Sequence, residues 1–415
     1  MNLRNQIPLF LSTAVQLVLG FFFGHIYDMR IFMATGYLVG AGQNPYVAQD
    51  LSAIFHNSAF QGITTFGYPP PWALMLGLIY LCTYKIVPNF LLYNLAIKLP
   101  VIAANICLAY LVVYILNKFG VQEKISHRAW IFLLFNPFLL CASSAWGQFD
   151  SVVALVSLLS LLLLWEGKLV IPAILLALAI SLKPTALPLI AVTFIFLAGI
   201  SLRRTLQYFA VFTLSMILFC AVPFVLFGWN PTVILQHWNA HFTVGGGLSF
   251  MTFLEYTKWT YQLPAQWWFL GWLWIPALGF AAYAMKSGIK GFDDLIKKSV
   301  ALILVFFLCR TWLSEPNINL ILPLVLILTS INQLDRFALT AVWVLPLIFS
   351  VFNMSIAQLF FPSMPGIMDM FIKFSDKFSN LRYDIRTIVV VIWITAGWWI
   401  VLQCFRSSER KFSWR

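Results

Sequence analysis

The chain has 415 residues, of which 61% are hydrophobic and only 10% charged, with a formal net charge of +12 and a mean hydropathy of +0.88. A soluble domain carries roughly 25% charged residues, so a water-soluble globule is excluded and lipid is the solvent these residues suit. The basic excess is scattered through short turns with no recognition-helix or basic-aromatic pattern, which argues against nucleic acid and for cytoplasmic loop anchoring.

In chain order, spans are predicted at 7–27, 94–117, 129–146, 149–165, 169–182, 185–202, 205–228, 265–285, 299–313, 317–332, 337–355 and 387–405. The fold class is therefore an all-α polytopic membrane protein of about 11–13 transmembrane helices. No loop could hold a separate soluble domain, which needs about 100 residues, so 1–415 reads as one membrane-embedded unit. The first run, Ile7 to Ile26, lacks a small-residue cleavage site and passes directly into Gly24-His25-Ile26-Tyr27-Asp28, so it is expected to remain as a span. The run 169–182 is short, and Pro184 and Pro188 interrupt its continuation, which predicts a bent or half-length helix. Segment 69–90 opens Tyr68-Pro69-Pro70-Pro71-Trp72 and closes at Pro88; it is expected to lie at the outer surface with Trp72 and Tyr80 at headgroup depth. The six cysteines sit mostly inside apolar runs without paired spacing and indicate neither disulfides nor a metal site.

With 69–90 not crossing, both termini fall on the cytoplasmic side. Lys118, Lys124, Arg128, Lys168, Arg203, Arg204, Lys286, Lys290, Lys297, Lys298, Arg336 and the basic tail then share that side, the positive-inside pattern. The opposite face collects three long polar-aromatic loops, 28–93, 229–264 and 356–386. It also takes eight of the 14 acids: Asp28, Asp50, Asp150, Glu255, Glu315, Asp369, Asp376 and Asp384. Topology alone requires none of this, and acids at span ends point to chemistry or recognition. The loop tryptophans are also what an interfacial belt would contain.

Four constellations stand out. Asp28-Met29-Arg30 lies one residue beyond the first predicted span; an acid at such a boundary is either a solvated helix end or a partly desolvated general base. In Trp146-Gly147-Gln148-Phe149-Asp150-Ser151, Asp150 is placed to cap the next helix, whereas the Gln148 amide in an aromatic setting suits a sugar or headgroup. Ser181-Leu182-Lys183-Pro184 puts one lysine on the outer face, either snorkelling or clamping a lipid phosphate. In Arg310-Thr311-Trp312-Leu313-Ser314-Glu315-Pro316-Asn317, Arg310 needs an anion, either Glu315 or a phosphate ligand. His237, His241 and Gly245-Gly246-Gly247 suggest a mobile lid. The two histidines lack the glutamate base of a zinc motif, and the glycines lack the context of a phosphate loop.

The order of these motifs resembles that of glycosyltransferases of the GT-C fold. Asp28, Gly42-Gln43-Asn44-Pro45-Tyr46 and Gly67-Tyr68-Pro69-Pro70-Pro71 are similar to the first outer loop of that family. Leu134-Phe135-Asn136-Pro137, the 146–151 knot and Ala177-Leu178-Ala179-Ile180-Ser181-Leu182-Lys183-Pro184 come next. The likeness is to bacterial and archaeal polyprenol-phosphate-dependent mannosyltransferases and to the catalytic subunit of the first GPI mannosyltransferase. It covers roughly residues 20–200. It implies a GT-C-like module at 7–228 with outer loop 28–93, and C-terminal helices over 229–415.

The resemblance implies an inverting transfer of a hexose, most often mannose, from a polyprenyl- or dolichyl-phosphate sugar to a hydroxyl on the extracytoplasmic or lumenal face. The acceptor is a glycolipid, glycan or protein. The host membrane is a bacterial or archaeal plasma membrane or, in a eukaryote, that of the ER, and a small membrane subunit is a further partner it leaves room for. Asp28 would deprotonate the acceptor. Lys183, Arg310 and Arg30 would meet the donor phosphate. Gln148, Asp150, Tyr68, Glu315 and His237 would bind sugar or acceptor. No cofactor is implied, and Met29-Arg30 after Asp28 leaves no paired acids for a divalent metal. A multi-pass lipid-linked sugar flippase or transporter, and a non-catalytic subunit of a transferase complex, remain the alternatives; the presence of Asp28 weighs against the latter.

Overall fold

A computed structural model describes residues 3–64, 66–232, 234–236, 243–253, 262–286, 288–353 and 355–406. The described residues are mainly helical, packed around a contiguous buried apolar cluster that runs from Met29 to Cys404. Among the described residues, four helices are long and apolar enough to cross a membrane: Phe90–Lys118, Glu123–Ala145, Leu202–Leu226 and Ser379–Phe405. Several other expected spans are shorter apolar helices, such as Asp150–Trp165 and Val170–Leu182. All six cysteines are free.

Helix α1 (Leu3–Phe22) stops before the expected 7–27 span does. Phe23-Gly24-His25 leave the helix, and α2 (Ile26–Gly40) begins with Asp28 in its first turn. Asp28 is thus not a residue trailing a span but one at the start of a second helix. The expected loop 28–93 is also more ordered than its composition suggests, because it contains α2 and α3 (Pro70–Cys82), which pack on one another. At about 1.5 Å per residue, 13-residue α3 spans about 20 Å, short of the roughly 30 Å hydrocarbon core. Trp72 does not face outwards to headgroups as expected but inwards. It is 1% exposed and stacks on Phe149 with ring centroids 4.4 Å apart.

Helix α4 (Phe90–Lys118) is the central support, and α5 (Glu123–Phe135) packs against it. Asn136-Pro137 breaks α5: the Asn136 side chain accepts from Leu139 N at 2.9 Å, and proline occupies the first position of the following turn. A π-helical turn, Cys141–Ala145, then carries the chain into Trp146-Gly147-Gln148. Buried polar side chains fix that turn. Asn105 Nδ2 donates to Gln16 Oε1 and Ser143 Oγ, both at 2.8 Å, and Ser144 Oγ donates to Gln16 Oε1 at 3.0 Å.

Gly147 adopts φ +100, and a Cβ there would stand 2.5 Å from Met29 Sδ and 3.0 Å from Lys98 Cε. Gly147→Ala is therefore expected to cost at least about 1–3 kcal/mol from backbone strain alone. A drop in the apparent melting temperature of the detergent-purified protein would register it.

Helix α6 (Asp150–Trp165) and α7 (Val170–Leu182) come next, the latter half-length as its prolines suggest. Pro184 disfavours helical geometry at the residue before it. Lys183 accordingly sits at φ −152, ψ 124, and its side chain turns towards 148–150. The expected mobile glycine run instead forms β1 (Gly246–Gly247), paired in parallel with β2 (Trp312–Leu313). Gly247 has φ +63, and a Cβ on it would collide with the Leu313 carbonyl oxygen. Ser249 Oγ reinforces the pairing by donating to Thr311 O at 2.5 Å. Helix α8 (Ser379–Phe405) begins eight residues before the predicted span 387–405.

Candidate functional site

Two buried polar groups meet at the 146–150 knot. The first centres on Asp28, whose place in the first turn of α2 sets its carboxylate at the positive end of the helix dipole. The Trp146 indole N–H donates to Asp28 Oδ2 at 2.5 Å, and His25 Nδ1 lies 3.3 Å from the same oxygen. The His25 ring stacks on Trp146, with centroids 4.3 Å apart and planes 13° from parallel. Burial pulls the Asp28 carboxyl upward, but His25, the Trp146 indole and the Gln148 amide outweigh it and hold the group below the usual carboxylate range. The result is a desolvated carboxylate that stays ionised.

The second group centres on Lys183. Its ammonium donates to Asp150 Oδ2 at 2.8 Å and to Gln148 Oε1 at 3.2 Å, and it lies 5.6 Å from the Tyr68 ring centroid and 5.5 Å from that of Phe149. Asp150 is completely buried, and its Oδ1 has no hydrogen-bond partner among the described residues. Gln148 joins the two groups. With its carbonyl oxygen held by Lys183, its amide N–H groups are left for Asp28 and the Tyr68 hydroxyl, both of which it adjoins. Beneath lies an aromatic floor in which Phe149 stacks on Trp72 and meets Tyr68 edge-on at 5.1 Å.

Five of the residues singled out from sequence therefore converge: Asp28, Tyr68, Gln148, Asp150 and Lys183. The details differ from expectation. Asp150 makes no side-chain cap to α6 but pairs with Lys183. Lys183 does not snorkel; it is 6% exposed inside that pair. Glu315 stands at the margin, accepting from Asn353 Nδ2 at 2.8 Å and close enough to His25 and Arg386 to feel their charge. Burial pushes its carboxyl upward. Arg310 is not paired with Glu315. Its guanidinium lies 5.2 Å from the Phe306 ring centroid, with no hydrogen bond or ion pair among the described residues.

Arg30 faces elsewhere, donating to Ala59 O at 2.6 Å and Ile26 O at 3.2 Å, which anchors the 57–60 turn to α2. His237, with His241, lies outside the described residues. Three members were given no role from sequence: His25 and Trp146, which stand inside motifs singled out there, and Asn353. His25 was legible as an i,i+3 neighbour of Asp28, and Trp146 as the head of the Gly147-Gln148 turn; Asn353 carried no local signal. Among the described residues, no group of three or more His, Cys, Asp or Glu side chains converges on a metal-sized site. Comparison with protein-family models and with curated proteins finds no match for this chain.

Proposed function

We propose that the protein is an integral-membrane glycosyltransferase that moves a hexose from a polyprenyl- or dolichyl-phosphate sugar to a hydroxyl acceptor on the extracytoplasmic or lumenal face. The observation that carries this reading is the buried Asp28 carboxylate, oriented by His25 and Trp146 and joined through Gln148 to the Lys183–Asp150 pair. Such a carboxylate can take the proton of an acceptor hydroxyl as that oxygen attacks the anomeric carbon. The bond from that carbon to the phosphate oxygen breaks, and polyprenyl phosphate departs with the electron pair. Attack opposite the leaving group inverts the anomeric carbon.

The leaving phosphate is already anionic and calls for positive charge, not a proton. Lys183 is neutralised by Asp150, so its part is to orient Gln148 and face the sugar. Arg310, free of acid partners among the described residues, is the cation for the phosphate. Gln148, Tyr68 and Glu315 supply donors and acceptors for sugar hydroxyls. Mannose is the sugar favoured by the resemblance to polyprenol-phosphate-dependent mannosyltransferases.

The test supplies purified protein in nanodiscs with polyprenyl-phosphate mannose or polyprenyl-phosphate glucose and a membrane glycolipid extract. Free polyprenyl phosphate is then measured over time. Release from one donor, dependent on the extract, is the expected result and names the sugar. Binding of either donor without release would replace this reading with a flippase.

A further inference from the structure

Lys98 is completely buried in the first half of α4, and among the described residues no carboxylate pairs with it. Its ammonium donates to three backbone carbonyls: Phe23, Ala145 at 3.0 Å and Gly20 at 3.4 Å. Three donors meet three acceptors, so the group is fully used. The carbonyls belong to two helix ends, that of α1 and that of the π-helical turn, each the negative pole of its own dipole. Asn94, one turn earlier on α4, also takes Gly20 O at 2.7 Å, Phe21 O at 3.1 Å and Phe23 O at 2.9 Å.

The side chains just past those two ends give the lysine its significance. Two residues beyond Phe23 comes His25, and directly after Ala145 comes Trp146. These stacked rings are the pair that touches Asp28. The His25 backbone N–H also donates to Trp146 O at 3.1 Å, so the two chains are already in register at that point. A cation is costly to bury where an apolar residue would pack; its distinctive action here is to draw two carbonyl-bearing ends to one atom.

We infer that Lys98 is a positioning residue: it sets the spacing between the α1–α2 break and the π-helical turn, and through it the His25–Trp146 grip on Asp28. Its bearing on turnover rests on the glycosyltransferase reading; its bearing on geometry does not.

The experiment therefore reads both. Wild type, Lys98→Met and Lys98→Gln are prepared as monodisperse nanodisc samples and treated with diethylpyrocarbonate. Single histidines are then tracked by peptide mass spectrometry, with exposed His56 as the internal control. His25 modification is expected to quicken about 10-fold in Lys98→Met as the local grip opens, with His56 unchanged. Lys98→Gln, which keeps two donors but no charge, falls between. In the transfer assay kcat falls about 10²-fold at similar KM, the scale of an ångström-level misplacement. Should wild type transfer no sugar, the His25 rates alone decide the proposal and only the enzymatic reading falls. His25 equally protected in either folded variant would overturn it. So would failure of both variants to fold, which would assign Lys98 to folding alone.

Discussion

Asp28→Asn is expected to reduce sugar transfer by about 10²–10⁴-fold, the range for loss of a positioned general base, while donor binding persists. The amide keeps the shape and can still meet Trp146 and His25, so the site is preserved and only the proton acceptor is lost. A binding assay with the lipid-phosphate sugar beside the release assay separates the two. Equal turnover by Asp28→Asn and wild type would remove Asp28 as base.

The pH dependence comes from the same contacts. Because the folded-state carboxyl is held below the usual carboxylate range, the base remains ionised while pH falls through that range, and the acid limb of kcat/KM is expected below it. Trp146→Phe deletes one of the lowering hydrogen bonds, so that limb moves to higher pH. Stability carries the matching sign. A carboxyl depressed in the folded state contributes stability that is present above its unfolded pKa and lost as pH falls through the folded value.

The second large effect concerns the Lys183–Asp150 pair. Lys183→Met strands the completely buried Asp150 charge, and removing one partner of a buried pair costs about 3–5 kcal/mol. Lys183→Met combined with Asp150→Leu removes both charges, and such replacements are neutral or stabilising by about 1–4 kcal/mol. The melting temperature of the double variant should therefore recover. Turnover should not, because Gln148 loses the donor that fixes its amide. Recovery of both would make the pair a packing device.

Much of this site was readable from sequence as a set of residues, and little of it as a set of bonds. Asp28, Gln148, Asp150 and Lys183 stood out because polar residues inside apolar runs are expensive and therefore few. Their partners were chosen by tertiary geometry. Nothing local says that Lys183 reaches back 33 positions to Asp150 instead of outwards to headgroups. Segment 28–93 hid α2 and α3 because its polar and aromatic residues, averaged, look like a loop, while the paired burial of Phe32 and Trp72 emerges only when the two helices meet. The glycine triplet looked loose because its ordering partner, Trp312–Leu313, lies about 65 residues away, the kind of non-local pairing that composition never encodes.

The carbonyls at the end of α1 are closed off by two distant parts of the chain. Gly20, Phe21 and Phe23 are served by Asn94 and Lys98, whereas Phe22 O is taken by Ser363 Oγ at 2.6 Å, across 341 residues, and Gly24 N donates to Leu359 O at 2.7 Å. A ribosome delivers the Asp28 end of this arrangement early and the 359–363 end hundreds of residues later. Until then the α1–α2 break that carries His25 lacks two of its ties, so a nascent chain paused before residue 359 holds that break without them.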